Sequence, residues 1–596
     1  MADYNTFEFD VLIIGAGGAG LRALIGAREK GCSVGVVTKS LLGKAHTVMA
    51  EGGAAAALGN YDSDDNWKVH FRDTMRGGKF INDWKTAMIY AKEAPDRILE
   101  LERYGAVFDR TPEGLISQRA FGGHKYRRLA HVGDRTGLEL IRTLQDRAVF
   151  MGMDCHMETT MTRLLKDGDR VIGAVGYQRS DGSIVVFKAK AVVLASGGWG
   201  RMFRYTSNSW ESTGDGLVMA FLAGAQVQDM EMMQFHPTGM IWPPGMRGIL
   251  VTEGVRGEGG VLKNGNGERF MFNHVPDFYR EETADTPEEA LGWVTDKKNN
   301  RRPPELLPRD VVSRAIYKEV KAGRGSEHGG VYLDVSHKGA DYIKKKLPSM
   351  YEQFLHLGDV DITKSPMEVS PTVHYAMGGL VNDAESCATT LPGLFAAGEV
   401  AAGLHGANRL GGNSLTDILV FGRRAGEAAA DFALANPHGS VDANQINEEV
   451  NLLMRPLQGD SGENPYTIQT ELQEAMQTGA MIARTEDSLN EALAKVIELQ
   501  ARAKHLRVSG TAAYNPGWNA ARDTLFMLHS SEVILRSALE RKESRGSHWR
   551  LDYLEEDPYW AKHNIIASLS GDEIVLSHKP IEDMPTELSD ILEDGA

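Results

Sequence analysis

The chain is poor in cysteine: Cys32, Cys155 and Cys387 are its 3 cysteines in 596 residues, far apart and without a C-x-x-C pair. That excludes a disulfide framework and an iron–sulfur ligand set, and it points to a reducing compartment. Long apolar runs are missing too, since none approaches the ~20 residues of a spanning helix. No signal or transit segment is visible before the first strand, which begins almost at once after MADYNTFEF. The expectation is a cytosolic protein or a peripheral subunit on the cytoplasmic face of the inner membrane. Positive charge is in deficit, with 65 Lys plus Arg against 81 Asp plus Glu and a formal net charge of −16. Such a surface repels nucleic acid and anionic lipid. Internal repeats and low-complexity tracts are also absent.

Glycine is plentiful, at 65 residues, beside a globular balance of 42% hydrophobic and 24% charged residues. A chain of this length exceeds one core and predicts three or four domains. Residues 9–40, FDVLIIGAGGAGLRALIGAREKGCSVGVVTKS, read as strand, glycine turn, helix and strand. Gly15, Gly17 and Gly20 form G-x-G-x-x-G: the first permits the turn, the second lets backbone approach a pyrophosphate, and the third lets the helix pack on the sheet. The helix N-terminus then faces the phosphates. A NAD site of the ordinary kind ends its second strand with Asp or Glu, whereas this one ends in Thr38 and Lys39. FAD with a different ribose contact is the better reading, and His46 falls where the chain leaving that strand passes beneath a flavin ring.

AHTVMAEGG, around His46, resembles the segment by which the flavoprotein subunits of succinate dehydrogenases and fumarate reductases bind FAD covalently through a histidine. The likeness continues in order through ASGGWGR (195–201), STGDG (212–216), QFHPTG (234–239), VTEGVRGEGG (251–260), PRD (308–310), PTVHYAMGG (371–379), LFAAGE (394–399), HGANRLGGNSL (405–415) and ESRGSHWR (543–550). It implies an α/β fold: a discontinuous Rossmann-type FAD-binding domain at 1–236 and 355–435, an inserted α+β capping domain at 237–354, a helical domain at 436–542 and a small C-terminal domain at 543–596. Turn-rich WPPG, KNGNG and KKNNRRPPELLP mark the insert. Leu489, Leu493, Val496 and Ile497, with Leu472 and Met476, give the later segment helical stripes read as core packing. The last 50 residues read as polar and irregular, with an acidic tail.

The resemblance implies FAD contacts at Gly15, Ala16, Gly17, Gly18, Ala19, Gly20, Thr38, Lys39, Ser40, His46, Thr47, Glu51, Gly52, Gly53, Asp215, Glu399, Ser414 and Leu415, with His46 as the covalent link. A bond from imidazole to the ring's methyl carbon raises the flavin potential, which suits a reluctant hydride donor such as succinate. Ala45 stands where the family often has Ser; the nucleophile is spared. Asp215 also reads as a helix cap, and Glu399 as the missing ribose carboxylate. For a dicarboxylate the resemblance implies His236, Thr252, His374 and Arg409, with Phe121 against the carbon chain; arginine's planar fork meets a carboxylate bidentately. Arg309 is implied as the proton carrier, restored through Glu253 and Arg256, and Arg314 is set aside because the PRD context belongs to Arg309.

Glu51 bears on direction. The family often has Gln here in succinate oxidisers and Glu in fumarate reducers; an ionised carboxylate lowers the flavin potential, and burial weakens that effect by protonating it. Succinate oxidation is favoured, with fumarate reduction as the alternative. The resemblance further implies two kinds of partner, an iron–sulfur subunit that takes the electrons and a membrane anchor holding quinone or haem. L-Aspartate oxidase, which lacks the covalent histidine, is the rival enzyme, and a flavin-bearing scaffold without turnover is the rival of another class.

Overall fold

The structure, a computed structural model, describes residues 4–593. Its organising element is the strand Tyr4–Ile14, which pairs in parallel with Val34–Val37 on one side and Ile184–Leu194 on the other. Both faces are covered, so the central VLII reads as a continuous apolar run rather than an alternating one. Asp154–His156 extends the sheet beyond Val34–Val37, and Leu394–Ala396, from much later in the chain, joins Ile184–Leu194 in parallel. An antiparallel pair, Thr159–Asp167 and Arg170–Gln178, completes this 7-stranded sheet. The nucleotide-binding layer is therefore built from two distant stretches of chain. The helix Gly18–Glu29 packs on Asn413–Ala435 through small residues: a Cβ on Gly426 would lie 2.1 Å from the Ala23 carbonyl oxygen.

Between those stretches stands a second, antiparallel sheet in the order Met233–Met240, Met367–Ala376, Val331–Asp334, Val261–Lys263. It has its own core of Met240, Val251, Val255, Ile316, Leu333 and Val369 among others. The fold is thus α/β, with an α+β insertion in the FAD-binding layer, a helical part and a small C-terminal part. The helical part comprises Ala443–Met454, Pro465–Gly479, Glu486–Ala503 and Pro516–Glu540. Asp442, Asn464, Thr485 and Asn515 each accept a backbone N–H of the first turn that follows them. The stripes do pack as core: Leu472, Met476, Leu489 and Val496 are buried. Ile497 is the exception, 45% exposed, because the inward face runs through Ala492, Val496, Leu499 and Ala503 instead.

The irregular C-terminus predicted from sequence is corrected. His563–Ser570 and Glu573–Pro580 form a hairpin across a two-residue turn in which Gly571 takes φ +62°. It joins Val227–Gln228 and Gly379–Leu380 in a 4-stranded sheet. Polar residues on its outer face gave EIVLSHKP the look of a loop, although its burial alternates with period two. The end of the acidic tail, 594–596, lies outside the described residues. Among the described residues, no helix is long and apolar enough to cross a membrane.

Candidate active site

One cavity of about 350 Å³ opens where the parallel strands end at Ile14, Val37 and Leu194, the place at which sheets of this kind hold ligands. Of the predicted FAD contacts, Gly15–Ala19, Thr38, Lys39, His46, Thr47, Glu51–Gly53, Asp215, Glu399, Ser414 and Leu415 line it; Gly20 and Ser40 do not. Two of the three motif glycines are fixed by packing. Gly15 has φ +114° and a Cβ there would sit 2.2 Å from the Ala195 carbonyl oxygen, while one on Gly20 would sit 1.8 Å from that of Gly15. Gly17 is different: its nearest neighbours, Ala45 Cβ and Thr47 Oγ1, are 3.5 Å away. The second glycine therefore leaves room on the cavity side, beside a helix N-terminus whose N-cap residue has no side chain and whose Gly18 N–H donates to Thr47 Oγ1 at 3.3 Å. That cradle fits a dinucleotide.

Lys39, in place of the missing strand-end carboxylate, is tied down by protein. Its Nζ donates to Asp523 Oδ1 at 2.6 Å and Thr213 Oγ1 at 2.7 Å, and lies 3.7 Å from Asp215 Oδ2. Asp215 opens the helix Asp215–Leu222, whose N-cap is Gly214. Glu399 follows Leu394–Ala396; its Oε1 accepts the Ala376 N–H at 3.0 Å, and burial pushes its carboxyl up to about 7.

His46 begins the short helix His46–Met49. Its Nδ1 accepts the Ser209 backbone N–H at 3.3 Å, which puts the neutral ring's proton on Nε2. Burial, and after it Arg409, lowers its pKa to about 4, keeping the imidazole neutral. Glu51, five residues on, is pushed well above the usual carboxyl range by burial and by Asp134, against the opposing pull of Arg119.

His236, Thr252, Glu253, Arg309, His374, Arg409 and Phe121 line the same cavity. His236 sits on Met233–Met240 and His374 on the neighbouring Met367–Ala376, which brings their rings to 5.2 Å. The Thr238 backbone N–H donates to His236 Nδ1 at 3.3 Å, which fixes the proton on Nε2. Ser207 Oγ meets His374 Nδ1 at 2.7 Å and orients that ring. Burial, and after it Arg309, holds both imidazoles well below their ordinary pKa. Both are neutral, and His236 presents its Nε2–H as a donor.

Arg409 donates to Ser414 Oγ at 2.7 Å and lies 4.3 Å over the Tyr375 ring, while its buried Nε has no partner in the protein. Burial and Arg309 lower its pKa to about 10, still charged at neutral pH. Arg309 opens the helix Arg309–Glu319; its Nε donates to Glu253 Oε2 at 3.0 Å and one terminal nitrogen to Gln234 Oε1 at 3.0 Å. Glu253 Oε1 accepts the Gly122 N–H at 2.6 Å. Burial raises the Glu253 pKa, but Arg309 and Arg256 outweigh it and hold the carboxyl below its usual range. Arg256 does not line the cavity; it stands behind Glu253, 3.6 Å away and buried. Arg314 points elsewhere, donating to the Gly546 carbonyl beside Trp549. The Phe121 ring lies against Gly52, 2.6 Å from where a Cβ there would be. Thr252 Oγ1 accepts the Gly254 N–H at 3.4 Å, leaving its O–H to donate.

Around Arg309 and Arg409 the wall offers two guanidiniums, two neutral imidazoles and one hydroxyl, and Glu253, the carboxylate paired to Arg309, is already neutralised. The wall's complement is a small dianion. Sequence reasoning missed Ser207, Ser209 and Thr238, which orient the three imidazoles; TSNS carries no mark of such a role because the histidines it serves lie far off in sequence, while Thr238 stood unremarked in QFHPTG, two residues from His236.

Known proteins resemble this chain along almost its whole length. Residues 10–415 match the family model described as FAD binding domain, and residues 469–590 the one described as fumarate reductase flavoprotein C-term. The chain is 45% identical to a subunit of the fumarate reductase (CoM/CoB) of Methanothermobacter marburgensis, over 93% of this chain and 96% of that protein. It is 36% identical to the succinate dehydrogenase flavoprotein subunit of Rickettsia conorii, over 96% of this chain and 95% of that one. The solved structure of Mycobacterium smegmatis Sdh1 in complex with UQ1 superposes with a TM-score of 0.85 at 50% identity, covering 97% of this chain and 95% of that one.

Proposed function

The chain belongs to the flavoprotein subunits of succinate dehydrogenases and fumarate reductases, FAD-binding oxidoreductases that interconvert succinate and fumarate, and we propose that it does so with FAD bonded to His46, in the direction of succinate oxidation, as the catalytic subunit of a membrane-bound complex. The observation that carries this reading is the convergence of Arg309, Arg409, His236 and His374 on the cavity that His46 lines. Bound there, FAD supplies the hydride acceptor and donor.

The residues divide the remaining work. Arg409 and the Nε2–H groups of His236 and His374 bind the carboxylates, and Thr252 adds its hydroxyl. Phe121 packs against the carbon chain. Arg309 moves the proton at the carbon next to the one that exchanges hydride. Arginine is a poor acid in water, and here its charge is restored through Glu253, with Arg256 behind it. Domain boundaries at 236/237, 354/355, 435/436 and 542/543 belong to the same proposal. They place Thr252, Glu253, Arg256 and Arg309 on the insert, so its closure expels water as it delivers the relay.

Direction turns on Glu51. Burial and Asp134 raise its carboxyl well above the usual range, which weakens the opposition an ionised carboxylate would offer to electron arrival, and this favours succinate oxidation. Electrons then leave through an iron–sulfur subunit to quinone held by a membrane anchor, in keeping with relatives that are themselves named as subunits. The test is the ratio of succinate oxidation to fumarate reduction in the purified complex with its native quinone. A ratio above one is expected. A ratio well below one overturns the direction, and failure of any dicarboxylate to alter the flavin spectrum overturns the site.

A further inference from the structure

Gln234 is fully buried on the strand Met233–Met240, outside the cavity lining, and its amide is engaged at both ends. Its Oε1 accepts from Arg309 Nη1 at 3.0 Å, and its Nε2 donates to Asn408 Oδ1 at 2.8 Å and to the Arg409 carbonyl at 2.6 Å. Asn408 Nδ2 in turn donates to Asp310 Oδ1 at 2.9 Å, next in sequence to Arg309. The loop of bonds closes on itself. Its polarity leaves no choice: a guanidinium only donates and carbonyl and carboxylate oxygens only accept, so both amides have one workable orientation.

The consequence falls on Arg309. Nε is held by Glu253 and Nη1 by Gln234, which leaves Nη2 as the free nitrogen. Nη2 lies 3.2 Å from where a Cβ on Gly411 would be, two residues from Arg409. We propose that Gln234 is a positioning residue for the proton-transfer step, pinning the Arg309 guanidinium by Nη1 and tying it to the Arg409 main chain so that Nη2 alone meets the substrate carbon. Asn408 fixes the amide that does this. The inference rests on Arg309 as the proton carrier. It also makes the two arginines one unit: the group that moves the proton and the group that grips a carboxylate are spaced by a single side chain.

The experiment compares Gln234→Met, Gln234→Glu and Arg309→Lys in the flavin-containing protein, with flavin content and melting temperature as checks of folding. For Gln234→Met the expected loss in kcat is on the order of 10- to 100-fold, the equivalent of a hydrogen bond to a charged group. Malonate, a dicarboxylate that does not react, should still bind within about threefold of wild type by titration of the flavin band, since Arg409 and the imidazoles remain. The solvent isotope effect on kcat should rise as proton transfer becomes slower. Gln234→Glu keeps an acceptor for Arg309 but sets its other oxygen against Asn408 Oδ1 and the Arg409 carbonyl, so its kcat should also fall.

Wild-type kcat and isotope effect in either Gln234 variant overturn the proposal. So does a loss confined to malonate affinity, which is what a merely structural role would give. Arg309→Lys separates the two claims: if it turns over normally, the reading of Arg309 fails; if it is inactive while Gln234→Met is normal, only the role of Gln234 fails.

Discussion

Replacing Arg309 with lysine tests the division of labour between binding and chemistry. The guanidinium makes two bonds, Nε to Glu253 and Nη1 to Gln234, each at 3.0 Å. A lysine Nζ falls where the guanidinium carbon was, about one C–N bond (~1.3 Å) short of the nitrogen that meets substrate. It can keep the Glu253 pairing, leaving Gln234 Oε1 unpartnered in a buried position, at a cost of about 1–3 kcal/mol. Positioned proton transfer is worth roughly 10²–10⁴-fold. Together these predict a kcat lowered by about 10³-fold or more, with dicarboxylate affinity changed only a few-fold because the positive charge and Arg409 remain. Fumarate reduction with a reduced viologen dye and malonate titration of the flavin band measure the two quantities. Turnover within tenfold of wild type would refute the reasoning, and so would a loss confined to affinity.

Three further outcomes follow from the same geometry. Glu51 keeps its proton when buried, whereas the unfolded chain releases it above the ordinary value of 4.5; wild type therefore loses stability as pH rises past that value. Glu51→Gln should melt higher than wild type by a margin absent below pH 4.5 and growing as pH rises above it, and a pH-independent margin would count against it. Lys39→Met strands Asp523, whose bond to Lys39 is 2.6 Å in a nearly buried pair, so the melting temperature and retained flavin should both fall, the missing partner costing about 3–5 kcal/mol. Ser207→Ala removes the hydroxyl that orients the His374 ring at 2.7 Å, and should raise KM by about five- to tenfold with little change in kcat; an unchanged KM would refute that role for Ser207.

The nucleotide turn was legible because it is local: strand, glycines and helix lie within 9–40, and Gly15 and Gly20 are constrained by neighbours that the motif itself places. Arg309 could be told from Arg314 by its PRD context, and the structure sends the two in different directions. What stayed hidden is long-range. Lys39 read as a cofactor contact, yet its strongest partner, Asp523, lies on a helix hundreds of residues away. Gln234 stood in a quoted motif without attracting notice, because its importance comes from Asn408 and Arg309 meeting it in space. The C-terminal hairpin escaped for a different reason: its outer face is polar, so period-two burial was masked by composition.

We propose that His46, whose Nδ1 accepts from Ser209, carries FAD covalently beside the dicarboxylate wall through Nε2, which gives up its proton as the bond forms. Boiling a flavin-replete preparation in detergent and running it on a gel tests this most directly. Yellow fluorescence should travel with the 65.3 kDa band and disappear in His46→Ala; a dark wild-type band, with all the flavin released, would contradict the claim.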